Sequence, residues 1–93
     1  MLTGNQRQLP QHRLKGESMK ALLEYLATNL VDHPEAVTIK ERTGRHTVTY
    51  QLTVAPDETG KVIGRSGRVA KAIRDLMSVA AARRHKRVHV DIE

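Results

Sequence analysis

Gly60-Lys61-Val62-Ile63-Gly64-Arg65-Ser66-Gly67-Arg68 is the stretch that decides how this chain is read. Two glycines bracket a polar pair, one member of it cationic, with an apolar pair before them and a helical pattern directly behind. Glycine on both sides lets backbone approach a bulky anion with no Cβ in the way. A helix starting at about Arg68 aims its unpaired N–H groups and the positive end of its dipole at the same place. The stretch therefore predicts a grip on a sugar-phosphate backbone. Gly64 and Gly67 form the bend, Arg65, Arg68, Lys61 and Lys71 supply cations, and Ser66 offers a hydroxyl. Val62, Ile63 and Val69 read either as an aliphatic groove for bases or as plain core.

The charge distribution points the same way. The chain carries a net charge of +6. Between Lys61 and Arg87 lie nine basic residues and one acid, Asp75, while the remainder holds seven basic and nine acidic residues. A cationic segment on a slightly acidic body is the electrostatic pattern of a polyanion binder, although part of any such run is ordinary solvated surface. Tyr25 and Tyr50 are the only aromatic residues. Base stacking on exposed rings is thus poorly supported, and aliphatic side chains must pack against any bound base.

Ninety-three residues make one small domain with a thin core. Cysteine is absent, which excludes disulfides and thiolate metal sites and fits a reducing compartment. No apolar run approaches the roughly 18 residues that span a bilayer, and no signal-peptide core is present. The expectation is a soluble cytoplasmic protein with no membrane partner. Residues 1–17 show no sustained period and are expected to form a flexible basic tail, native or not, with Met19 as an alternative start. The folded domain is expected over residues 18–93.

Within that domain, Ser18 is a candidate N-cap for a helix running to about Val31, with Met19, Leu22, Leu23, Leu26 and Leu30 on one face and Pro34 beyond its end. Val37–Arg42 and Thr47–Val54 read as antiparallel strands joined at Gly44-Arg45, the second with Val48, Tyr50, Leu52 and Val54 alternating inward. Pro56 ends that strand. A weak helix follows over about Asp57–Ile63, with Asp57 and Glu58 complementing its dipole. The longest helix runs from about Arg68 to Arg84, with Val69, Ile73, Leu76 and Ala80 on one stripe and Ala70, Ala72, Met77 and Ala81 beside it. Val88, Val90 and Ile92 mark a last strand. The order α-β-β-α-α-β predicts an α+β fold, a three-stranded sheet with helices packed on one face.

The extended run Gly60–Arg68 resembles the signature of KH domains, and the element order is similar to their bacterial type II form. Leu30–Val37, Val54–Asp57 and Ala70–Arg74 add similarity to the small single-KH proteins of the KhpA type (YlqC family), covering about Ser18 to Glu93. That resemblance implies single-stranded RNA binding by Gly64, Arg65, Ser66 and Gly67. It also implies a mixed sheet, self-association into a homodimer, and pairing with a larger KhpB-type (Jag/EloR) KH protein. The setting implied is that of a dimeric RNA chaperone or post-transcriptional regulator linked to cell elongation and division.

Competing chemistries find little footing. Neither a P-loop nor a dinucleotide-binding glycine turn is present. The five histidines lack metal-ligand spacing, and no nucleophile sits beside a base. Neither an enzyme nor a cofactor, metal or small-molecule substrate is expected. The alternative reading is a protein-interaction module in which dimerisation dominates and RNA contact is secondary.

Overall fold

The structure, a computed structural model, describes residues 18–93. The first helix, α1 (Ser18–Thr28), seats Met19, Leu23 and Ala27 in the core, with Leu22 packed at its margin. It stops three residues earlier than its apolar period suggests. Thr28 Oγ1 donates to the Glu24 carbonyl at 2.8 Å, and Asn29 Nδ2 donates to the Tyr25 carbonyl at 2.7 Å. These side chains add second donors to carbonyls of the last turn, and the Leu30 N–H returns to the Ala27 carbonyl at 3.1 Å, a tighter i→i−3 bond that ends the helix. Val31 therefore turns into the core, and Leu30 is left 37 % exposed. Pro34–Ala36 then make one 3₁₀ turn.

β1 (Thr38–Thr43) and β2 (Thr47–Thr53) pair antiparallel from Thr38↔Thr53 to Thr43↔Val48, and the Gly44 N–H donates to the Thr47 carbonyl at 2.6 Å to close the hairpin. β3 (Arg87–Ile92) pairs parallel with β2 from Thr47↔Arg87 to Leu52↔Ile92, giving the order β1-β2-β3. The sheet is mixed because β3 returns only after a long crossover. That crossover holds a 3₁₀ turn (Pro56–Glu58), α2 (Thr59–Ile63), the glycine turn and α3 (Arg68–Ala82). Val48, Tyr50 and Leu52 of the central strand are each at most 1 % exposed and meet Leu23, Val62, Ile73 and Met77 in one core. Among the described residues, no helix covers the opposite, Thr-rich face.

The buried stripe of α3 is Ala70, Ile73, Met77 and Ala81, which corrects the expected stripe. Ile73 is shared, but Leu76 is 49 % exposed and lies outside it. The helix must face the sheet and α1 together, and small Ala70 and Ala81 let it approach both. Its end is a Schellman motif: the His85 N–H reaches the Ala82 carbonyl and the Lys86 N–H the Ala81 carbonyl, each at 3.0 Å. His85 takes the left-handed conformation there, at φ 59°, a place usually held by glycine.

Candidate nucleic-acid interface

The turn is built from three left-handed or glycine-specific residues in four. Gly64 sits at φ 77°, ψ 173°, Ser66 at φ 56°, ψ 26°, and Gly67 at φ 75°, ψ 14°. The Gly64 N–H closes α2 on the Gly60 carbonyl at 2.8 Å, and the Gly67 N–H returns to the Gly64 carbonyl at 3.1 Å. The two glycines are needed for different reasons. A Cβ on Gly64 would fall 2.8 Å from Val69 Cβ and 2.9 Å from Val69 N, so the backbone is closed against α3 there. A Cβ on Gly67 would meet nothing within 4 Å, and only the backbone angle restricts it.

Arg65 and Ser66 occupy the exposed tip. Their N–H groups donate to no other backbone group among the described residues. Behind them α3 begins at Arg68, which is also exposed, so the tip, a cation and a positive helix end share one surface.

Lys61, on the other side of the turn, is committed elsewhere. Its Nζ lies 2.6 Å from Asp32 Oδ2 and 3.2 Å from Glu58 Oε2. Glu58 is 2 % exposed, and its carboxylate also accepts the backbone N–H groups of Asp32 and His33, the latter at 3.1 Å. Burial alone would raise the Glu58 pKa, but the hydrogen bonds from Asp32 N–H, Lys61 and His33 N–H outweigh it and hold the carboxyl below its usual range. The hydrogen bond and charge of Lys61 likewise lower Asp32, and bonds to Asp32 and Glu58 raise Lys61. This cluster ties α2 to the segment after α1. In sequence Glu58 looks like a simple dipole complement; its real role depends on residues 25 and more positions away.

The three apolar candidates separate. Val62 is fully buried and holds the turn from beneath, so the groove reading does not apply to it. Ile63 is 37 % exposed beside the bend. Val69 is half-buried and lines an apolar groove with Leu26, Leu30, Ala72 and Leu76 between α1 and α3. Lys71 is exposed and pairs with Asp75 at 2.9 Å, one turn along α3, an exposed pair of small energetic weight.

A second feature was not legible in the sequence. Along the other side of α3 a cleft of about 300 Å³ is lined by Arg74, Ser78, Val88, His89 and Asp91. Arg74 Nε donates to the Val90 carbonyl at 3.1 Å on the outer edge of β3. Among the described residues β3 pairs only with β2, so its remaining edge groups face this cleft. Finding it requires the strand order. The one local signal is the spacing of Arg74 and Ser78, one helical turn apart.

Among the described residues no helix is long and apolar enough to cross a membrane, and no group of three His, Asp or Glu could hold a metal ion.

Comparison with known proteins places this architecture. The family described as KhpA/KhpB, KH domain, matches residues 20–92. A Clostridium acetobutylicum protein named RNA-binding protein KhpA is 50 % identical over 74 residues, covering 80 % of this chain and 99 % of that protein. Proteins of the same name from Chlamydia pneumoniae and Halalkalibacterium halodurans are 50 % and 46 % identical, each over 80 % of this chain and at least 95 % of their own length. Among solved structures, a variant of Aquifex aeolicus Era crystallised with GDP and aluminium fluoride superposes with a TM-score of 0.60 at 14 % identity. That match covers 91 % of this chain but 31 % of the Era chain, and it speaks to the fold alone. With the α-β-β-α-α-β order, the mixed sheet and the glycine turn in place, the chain belongs to the KhpA/KhpB family of KH domains.

Proposed function

We propose that this protein is a non-catalytic, cytoplasmic binder of single-stranded RNA. The observation that carries the reading is the exposed turn Gly64–Gly67. Its positive-φ backbone presents the Arg65 and Ser66 N–H groups at the tip, next to the Arg65 and Arg68 cations and the start of α3. A strand's phosphates lie against this tip, and its bases run along the α3–β3 cleft toward Arg74, Ser78 and His89. Ile63 and Lys71 flank the path. Lys61 contributes chiefly by fixing α2, since two carboxylates already hold its ammonium. Adding a single-stranded oligoribonucleotide to the isotope-labelled protein should shift the amides of residues 64–71, 74, 78 and 89. Shifts confined to the Thr-rich sheet face would refute this path.

One such domain has a small footprint and binds weakly alone, and a second copy raises affinity through effective concentration. We assign the chain a homodimer, and a heterodimer with a larger KhpB-type KH protein, in a regulatory or chaperone role linked to cell elongation and division. The second reading, a module whose main business is protein pairing, has its own support in the apolar groove between α1 and α3. Leu30 and Leu76 there are 37 % and 49 % exposed, and Val69 joins the groove to the turn. Leu76→Glu separates the two readings. Loss of dimer with weakened RNA binding supports coupled functions, and loss of dimer with RNA binding unchanged assigns the groove to pairing alone.

A further inference from the structure

The cationic segment is divided by the length of α3, about 22 Å for 15 residues, into two poles. One is the turn. The other surrounds a pocket of about 470 Å³ at the opposite end, within the usual size range of small-molecule sites. The pocket opens on the helix-covered side of the sheet. Its floor is set by register, because Glu41 pairs with Tyr50 and Thr43 with Val48, and paired residues share a face. Its walls are the first turn of α1, through Lys20, and the α3–β3 connection, through Arg84 and Lys86. The Schellman motif places the last two: the left-handed His85 reverses the chain, and the Lys86 N–H anchors on Ala81.

Two kinds of group meet in this pocket. Lys20 and Lys86 form no ion pair among the described residues, whereas Arg84 has a partner of its own. The same pocket is lined by a carboxylate, Glu41, which takes the Thr43 hydroxyl at 3.2 Å, and by a phenol, Tyr50. Tyr50 is 1 % exposed and has no hydrogen bond to another described residue, yet no sealed side-chain polar atom lacks a partner among those residues. Tyr50 is one of the residues that line the pocket. Burial first, and then the Glu41 charge, push its pKa up to about 12 against the opposing charge of Arg84, so it stays a neutral donor and acceptor at physiological pH.

The requirements on a ligand follow. The lysine wall asks for a dianion. Glu41 repels one and accepts hydrogen bonds from hydroxyl or amino donors. Inorganic phosphate satisfies only the first requirement and an unphosphorylated nucleoside only the second. We infer that this pocket binds a nucleoside 5′-monophosphate, its phosphate on Lys20 and Lys86 and its ribose or base donors on Glu41 and Tyr50. The same chemistry is carried by a free nucleotide and by the phosphorylated end of an RNA strand.

Titration of the full chain with adenosine 5′-monophosphate, read by amide shifts, tests this. Saturable shifts are expected at residues 20, 41, 50 and 86, with adenosine and inorganic phosphate each binding at least tenfold more weakly. Lys20→Glu with Lys86→Glu should abolish the shifts, and Glu41→Gln should narrow the preference for monophosphate over inorganic phosphate. The Arg65→Asp, Ser66→Asp variant should bind the nucleotide normally, which keeps failure of the turn separate from failure of this pocket. Equal binding of inorganic phosphate, or unchanged affinity in the lysine variant with its fold intact by circular dichroism, overturns the proposal. Matched 5′-phosphorylated and 5′-hydroxyl oligonucleotides then identify the source. Preference for the phosphorylated strand assigns an RNA end, and equal binding of the two assigns a free nucleotide.

Discussion

Gly64 and Gly67 have the same spelling and different jobs. Both need positive φ, which costs an ordinary L-residue about 1–2 kcal/mol. Gly64 also lies against Val69, where a methyl group has no room, whereas Gly67 faces open space. Gly67→Ala should therefore cost about 1 kcal/mol by chemical denaturation, and Gly64→Ala clearly more, with α2 and α3 forced apart. Equal destabilisation by the two would show that Val69 does not constrain the turn. His85 offers the converse. It occupies a left-handed helix C-terminus, so His85→Gly should stabilise the fold by up to about 1 kcal/mol, and a lower melting midpoint would contradict this. The need for glycine at 64 and 67 is legible in the sequence because the pattern itself announces a turn. The strain at His85 is not, because nothing local tells a helix where to stop within a run of Arg, His and Lys.

Elements show where sequence periodicity succeeds and where it drifts. β2 reads correctly because alternation over Val48, Tyr50, Leu52 and Val54 admits one inward face. α3 reads one position off, since two apolar stripes lie side by side and only the sheet decides between Leu76 and Met77. The junction of α2 with the end of α1 is invisible locally, because Glu58 finds its donors at Asp32 and His33. Glu58→Gln should lower the thermal midpoint by several degrees while leaving Arg65 and Ser66 exposed. The pH dependence has a definite sign. Glu58 has a lowered pKa in the folded state, so its contribution is present above its ordinary value of 4.5 and is lost as pH falls through the lowered one. Lys61 has a raised pKa, so its contribution is complete below 10.5 and fades above it. Tyr50 holds its proton to about 12 when folded but only to 10.0 otherwise, so stability also falls across that interval. Melting midpoints measured from pH 2 to pH 12 should decline at both ends, and Tyr50→Phe should flatten part of the alkaline decline.

At the scale of the whole molecule, packing α1 and α3 over one face of the sheet leaves three surfaces. The glycine turn with its cleft along β3 is the proposed RNA surface, the apolar α1–α3 groove the proposed pairing surface, and the pocket at the far end the proposed monophosphate site. The sequence locates the turn of the first through its glycines and charges, but not the cleft, which depends on the strand order. It cannot locate the others, because they are assembled from α1, the sheet and the α3–β3 connection, which are far apart in the chain. The central claim is that the turn grips RNA, and one titration tests it most directly. Arg65→Asp with Ser66→Asp places two acids at the exposed tip without disturbing the glycines or the core. Single-stranded RNA affinity, measured at two salt concentrations beside the unaltered protein, should fall at least tenfold. Its salt dependence should weaken by roughly 0.7 in log–log slope for each phosphate that the variant no longer neutralises. Unchanged affinity and slope in a variant that melts like the parent would contradict the claim.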